Sequence, residues 1–515
     1  MTTPTGGVDL RRRWNRLVLR MQGGLDGDHA DRVLPWLMAT GLFIVLLALD
    51  AAVLRAHDGG SGLAPWLQAA WRRRHDMAGT PVAGVDPATG TWSVVAEPIL
   101  WFTRYVPAAA LFASIQAAAI ALAVVPLWRL ARNEARLRVA AAVVIVAAFA
   151  LAPTLHRTNL TAFHPEVIAL PALLWAYLHG RQDHHKRYWA LVLVVLACRA
   201  DLGLTVAAMG VLLMSIGKRR SGALTAAGGL AWSIVAVIAL RPKAPARGLT
   251  PAGEFVARAV TPLAEFPRVF AHPIISAREL LAEPSVLFLV VVLSPLLFLP
   301  LVAPRKLLPA LPGLTLAMIA DQAVQRVAQR GVNTLSPAAA HIAPAMAFVF
   351  IALVFALERV GEPSVTRVNV DRRVLIALLA GASLLFVTEA PSSPYRQPWR
   401  WGSRDATDGA REAAARRVGD DQAVAVSPQS AALVAERAHL VELPPRPNGL
   451  TETRVARIAA IVDVVLLDTT GTDPRTDQAL WPTGQGQRVV SLLEADGFAV
   501  TYHSEGIYLL DRSGA

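Results

Sequence analysis

Asp50, His164, Glu166, Arg199 and Asp201 each border or interrupt a long apolar run, where an ionisable side chain is costly and therefore a functional candidate. Asp50 closes the run that begins at Leu34, with His57 and Asp58 just beyond it. His164 and Glu166 flank Pro165, and Arg199 and Asp201 are two charges within the otherwise apolar stretch 188–217. Carboxylates beside an imidazole and a cation can take a proton from a hydroxyl and hold the charge of a departing phosphate. That is the equipment of an inverting group transfer. Asp50, His164, Glu166 and Asp201 are the candidate acids and bases, and Arg199, His57 and Arg157 the candidate phosphate ligands. Each has a plainer alternative. Asp50 can simply end a hydrocarbon span. His164-Pro165-Glu166 can start a helix, with proline in its first turn and an acid at its positive end. Arg199 and Asp201 can form a structural salt bridge. His156, Asp321, Gln322, Arg326 and His341 are weaker candidates, and the Trp71–His75 stretch with its three arginines is better suited to an interfacial anchor than to a diphosphate clamp.

The elements that must position these residues are transmembrane helices. A bilayer core of roughly 30 Å needs about 20 apolar residues in helical form, and the runs lack the alternation of a barrel. About eleven crossings are predicted, near 34–54, 106–128, 137–155, 166–180, 188–200, 201–217, 222–240, 284–303, 306–320, 337–357 and 373–390. The fifth and sixth are short and read as a shallow hairpin turning at Arg199 and Asp201. Basic residues before Leu34 and in alternate short loops put the amino terminus in the cytoplasm and everything beyond Ala390 outside. Arg72, Arg73 and Arg74 run against that rule, because they fall in an outer loop over 55–105; a second outer loop spans 241–283.

The formal charge of +12 is explained by those cytoplasmic loops rather than by nucleic acid, and membrane lipid is the expected partner. The single cysteine, Cys198, forms no internal disulfide and suits a buried small side chain. The basic segment 1–33 leads into an uncleaved anchor, and the Ala- and Arg-rich composition fits the plasma membrane of a bacterium with a GC-rich genome. No cofactor or metal-ligand set is legible.

Beyond an aromatic, proline-rich interfacial linker over 391–404 the period changes. Residues 405–515 alternate short strands and helices: strands at 423–427, 439–443 and 462–468, helices at 430–438, 453–460 and 485–495, and a hairpin of 498–503 with 507–511 turned at Glu505 and Gly506. An independently folding α/β domain is expected there, with Asp463 and Asp468 ending or capping a strand.

Phe163-His164-Pro165-Glu166, the apolar 167–177, a basic loop and Cys198-Arg199-Ala200-Asp201-Leu202-Gly203-Leu204 resemble the central motif of the bacterial membrane family called domain of unknown function 2079. The tail over 423–444, with Ser427, Leu433, Ala435, Arg437 and Leu443-Pro444, is similar to that family's extracytoplasmic end. The resemblance implies a distant relation to C-type glycosyltransferases, multi-pass proteins that move a sugar from a polyprenyl-phosphate donor outside the membrane. Departures accompany it. The family's first outer loop carries Tyr-Asp-Leu-Gly and a further Asp, whereas residues 61–71 here contain no acid; Val95-Ala96-Glu97-Pro98 lacks a His; and Arg199-Ala200-Asp201 stands for Lys-Glu-Asp.

A lipid-linked-sugar transferase, or a degenerate relative of one, is thus one expectation, with Asp50 and the Arg199 hairpin sharing a wet outer cavity with His164 and Glu166. A non-catalytic envelope protein that binds a partner is the alternative. A transporter fits least, since no internal repeat is visible and the polar residues gather at one membrane face.

Overall fold

In the computed structural model, residues 28–55, 60–77, 88, 92–239, 283–318, 338–364, 366–395, 403–444, 447, 450–471 and 479–512 are described. His57, Asp58, Asp321, Gln322 and Arg326, most of the loop over 241–283 and the side chain of His341 lie outside them. The first helices are α1 (Asp28–Arg55), α2 (Gly60–Arg74), α3 (Ala96–Phe102), α4 (Ala108–Leu122) and α5 (Val124–Arg129). There follow α6 (Val139–Ala150), α7 (Pro153–Thr161), α8 (Ala169–Arg181), α9 (His185–Cys198), α10 (Leu202–Ser215), α11 (Arg219–Ala239) and α12 (Glu283–Leu293). The apolar part ends with α13 (Ala338–Val360) and α14 (Arg372–Glu389).

Among the described residues three helices are long and apolar enough to cross a bilayer unaided: His29–Arg55, Ala108–Glu134 and Ile342–Val360. Helices α6 and α7 make a fourth if counted as one span bent by 42°, and Pro153 at the start of α7 accounts for the break. The expected crossing over 284–303 is a helix only to Leu293. It then breaks into short 3-10 turns around Pro295 and Pro300, with Leu297 and Phe298 in left-handed conformation. Proline removes donors from the helix ladder, so hydropathy alone overstates helix length there.

Polar side chains collect at two ends of the helical body. At one, Asp31 accepts from Arg132 Nε at 2.6 Å and from Trp128, while Arg181 pairs with Glu134 at 2.7 Å. At the other lie Asp50, Asn159, His164, Glu166, Arg199 and Asp201, between α1, α7 and the α9–α10 turn. The expected short hairpin is present as α9 and α10, joined at Arg199–Asp201.

Helices α10 and α11 touch through glycine. A Cβ on Gly210 would sit 2.6 Å from Gly222 O and closer still to Ala226 N, and one on Gly203 would sit 2.7 Å from Gly229 O. Small residues let helices approach where lipid supplies no hydrophobic drive. Gly210→Leu must force the backbones apart, beyond the about 1–3 kcal/mol of ordinary overpacking. The full-length variant is expected to lose its monodisperse peak in size-exclusion chromatography. Gly228→Leu, whose Cβ meets open space, is expected to keep it.

The carboxy-terminal unit contains α15 (Ala406–Ala415), β1 (Val424–Val426), β2 (Leu440–Glu442), α16 (Glu452–Ala459), β3 (Val464–Asp468), α17 (Gln485–Ala495), β4 (Phe498–Ser504) and β5 (Ile507–Arg512). The sheet order is β2-β1-β3-β5-β4, parallel across the first three strands and antiparallel beyond. The β4–β5 hairpin turns at Glu505 and Gly506, both at positive φ, as the sequence predicts. The expected helix over 430–438 is a 3-10 helix, Pro428–Val434. One sheet face packs on α16 and α17 through Val455, Ile458, Val465, Val489, Leu493 and Leu510. The other is covered by α15, by the 3-10 helix and by α2, so Leu63, Trp66 and Leu67 share a core with Val424, Val426, Val434 and Leu466. Gln68 Nε2 donates to Arg437 O at 3.2 Å and Arg74 pairs with Glu436 at 3.0 Å. Two of the three arginines that run against the topology rule are thus held in ion pairs, Arg73 with Glu97 of α3 and Arg74 with Glu436 of the tail.

Glu442 ends β2 with its side chain buried, and that burial pushes its carboxyl up to about 8. A carboxyl whose pKa is higher folded than unfolded holds its proton longer in the folded state, so its contribution is complete at acid pH. It is lost as pH rises from about 4.5 to about 8, at about 1.4 kcal/mol per pH unit. The thermal midpoint of Glu442→Gln, measured on the full chain from pH 5 to 9, is expected to gain steadily on wild type and level off above pH 8. A constant difference across that range would contradict the assignment.

Candidate functional site

The site is assembled by uncharged amides as much as by ions. Asp50 sits in the last turns of α1, 6% exposed, and its Oδ1 accepts from Asn159 Nδ2 of α7 at 2.7 Å. Gln116 of α4 ties the following loop: its Nε2 donates to the carbonyls of Thr158, Asn159 and Ala162, and its Oε1 accepts the His164 backbone N–H at 2.7 Å. That last bond fixes the start of the 3-10 turn Pro165–Ile168, with proline where the missing N–H costs nothing.

His164 Nδ1 then lies 3.3 Å from Glu166 Oε1, and the same oxygen accepts from Arg199 Nη1 at 3.1 Å. Arg199 is also bidentate to Asp201, Nε to Oδ1 at 2.5 Å and Nη2 to Oδ2 at 2.7 Å. A continuous polar line therefore runs from Asp50 through Asn159, Gln116, His164, Glu166 and Arg199 to Asp201. Four of the five principal residues expected from sequence, His164, Glu166, Arg199 and Asp201, form one contact cluster; Asp50 joins it through two intermediates.

The shared wet cavity is corrected by this geometry. A cavity of about 40 Å³ does lie beside Asp50, but its walls are supplied by Asn159, Gln116, Phe112, Phe163, Leu63 and neighbouring apolar residues rather than by the Arg199 hairpin. Glu166, Arg199 and Asp201 are 3–6% exposed and turned on one another. Two desolvated carboxylates around one guanidinium satisfy themselves, which is why they need no water-filled space.

Other candidates separate cleanly. Arg157 is exposed on α7, two residues from Asn159. His156 is buried in the fold: its Nε2 lies 2.7 Å from Ala150 O, which can only accept, so Nδ1 receives the Ser392 hydroxyl at 2.7 Å. The His75 ring stacks on Trp71. Cys198 is buried with its Sγ on Val194 O. Among the described residues no group of three or more His, Cys, Asp or Glu could hold a metal.

Residues 94–509 match the family described as predicted membrane protein, DUF2079. The chain belongs to that family. No curated protein matches this DUF2079 sequence. Among solved structures, the crystal structure of the Archaeoglobus fulgidus oligosaccharyltransferase in the apo form aligns with a TM-score of 0.39 and 13% identity, covering 92% of this chain and 74% of that one. A likeness at that level bears on neither substrate nor activity. Within this DUF2079 protein the tail motif is fold-building: Ser427 Oγ accepts the Asp468 N–H at 2.9 Å, and Arg437 donates to the carbonyls of Val434, Gly419 and Gln422. Asp463 Oδ2 accepts the Ala423 N–H at 2.8 Å and Asp468 holds Arg411 at 2.8 Å, so both acids pin strand ends. Gln116 and Asn159 carry no charge and sit far apart in sequence; Gln116 is a lone amide in an apolar run, and Asn159 follows the polar His156, Arg157 and Thr158.

Proposed function

We propose that this is a multi-pass protein of the bacterial plasma membrane, with its amino terminus in the cytoplasm and residues 405–515 outside. In this reading it transfers sugar from a polyprenyl-phosphate donor at the outer face, as C-type glycosyltransferases do. The observation that carries the reading is Asp50. One of its oxygens is oriented by Asn159, and the other, at the wall of a cavity, has no partner among the described residues. Such a carboxylate suits a general base.

Asp50 takes the proton of an acceptor hydroxyl, whose oxygen attacks the anomeric carbon. As that C–O bond forms, the bond to the lipid phosphate breaks, and the phosphate leaves with the electron pair. Arg157, exposed on α7 two residues before Asn159, and His57 meet that phosphate. His164 and Glu166, with Arg199 and Asp201 behind them, hold the segment after α7 and so keep Asn159 of that helix against α1.

The absence of acids from residues 61–71 favours a second reading. That stretch is largely buried packing in α2, with Ala64, Trp66, Leu67, Ala69 and Ala70 each no more than 7% exposed. In this alternative the outer domain binds a partner and no transfer occurs. Vesicles carrying the purified chain, given a short-chain polyprenyl-phosphate sugar, separate the two. Sugar release or transfer by wild type that Asp50→Asn lacks supports the transferase. No turnover in either favours the partner-binding protein, whereas turnover equal in both denies Asp50 the base role.

A further inference from the structure

The cavity beside Asp50 is one-sided in its hydrogen bonding. Among the described residues Asp50 Oδ2 and Asn159 Oδ1 have no partner, and both residues line it, 6% and 4% exposed. The second atom is necessarily an acceptor, because the Asn159 nitrogen is spent as donor to the Asp50 carboxylate. Gln116, the remaining polar wall residue, has its nitrogen and its oxygen both engaged by backbone. The rest of the wall is apolar, with Phe112 and Phe163 stacked at 4.5 Å, and among the described residues no cationic side chain belongs to it. The space is asking for donors only.

We infer that this cavity is a subsite for a neutral hydroxyl on a slim apolar body, the acceptor end of the transfer, and that the donor's phosphate never enters it. A phosphate or carboxylate there would face the Asp50 carboxylate with no compensating donor. An ammonium would bring three N–H groups to two acceptors and leave a hydration shell behind. A hydroxyl gives its one proton to Asp50 while its carbon chain rests on Phe112 and Leu160. At roughly 10–15 Å³ for each water-sized group, the cavity's volume of about 40 Å³ holds about three heavy atoms, a hydroxymethyl and its neighbour. The inference deepens the transferase reading and rests on it only for the word acceptor.

Trp66 supplies the readout, since its ring lies 5.1 Å from Phe163 and 6.4 Å from Phe112 on the cavity wall. The full-length protein in lipid nanodiscs is titrated with 3-bromopropan-1-ol, 3-bromopropanoate and 3-bromopropylammonium, and the Trp66 contribution is taken as the difference between wild type and Trp66→Phe. The alcohol is expected to quench that component saturably, at a half-saturating concentration roughly tenfold or more below those of the two ions, and Asp50→Asn is expected to raise the alcohol's value by a similar factor. Equal or tighter quenching by the carboxylate, first rank for the ammonium, unsaturable quenching by the alcohol, or indifference to Asp50→Asn each overturns the inference. Selective quenching in a protein without turnover leaves the subsite standing and removes the transferase reading instead.

Discussion

Replacing Arg199 with leucine is expected to cost the protein about 3–5 kcal/mol, the penalty of leaving buried carboxylates without their cation. Glu166 and Asp201 are 3% and 6% exposed, and both accept from this one guanidinium. The thermal midpoint of the full chain in detergent should fall steeply. Arg199→Lys should recover only part of it, because a lysine cannot be bidentate to Asp201 while reaching Glu166. The triple variant Glu166→Gln, Arg199→Met, Asp201→Asn removes all three charges and should recover more than the lysine. An Arg199→Leu protein that melts with wild type would mean that water already serves these carboxylates, and the cluster would then be a wet site after all.

The second large effect falls on chemistry. Asp50→Asn preserves shape and still offers Asn159 an acceptor, so insertion and folding should be unchanged. It removes the base, and positioned general bases are worth about 10²–10⁴ in rate. Initial rates of transfer from a polyprenyl-phosphate sugar should fall by that factor, while Asp58→Asn should be milder. A loss of about threefold or less would deny Asp50 the base role.

Much of this site was legible because charge in an apolar run is conspicuous. The His164-Pro165-Glu166 turn and the Arg199–Asp201 hairpin stand out for that reason, and the structure joins them. The amides were not legible. Gln116 and Asn159 organise the site through contacts with residues 42 to 109 positions away, and nothing local marks an amide that will bond across helices. Strand and hairpin signals in the tail were strong, above all the Glu505-Gly506 turn. Helix α15 went unread although Asp405 and Asp408 form a capping box at its start, the signal that would have found it. Helix α2 was hidden by its Gly, Ser and Pro content, and its order comes from a partner surface far along the chain. Hydropathy also misjudged 284–303, where proline outweighs apolarity.

That partner surface sets a timetable for synthesis. Helix α2 ends at Arg74 and the sheet that finishes its core begins at Val424, about 350 residues later (424 − 74). At a ribosomal pace of 5–20 residues per second, roughly 20–70 s pass between the two. For that interval Leu63, Trp66 and Leu67 wait without the strands that cover them. A chain cut short before the tail never ends that wait. It would present an unfinished apolar surface beside the membrane, so premature termination late in the reading frame should yield a protein that quality-control proteases remove rather than a working helical body.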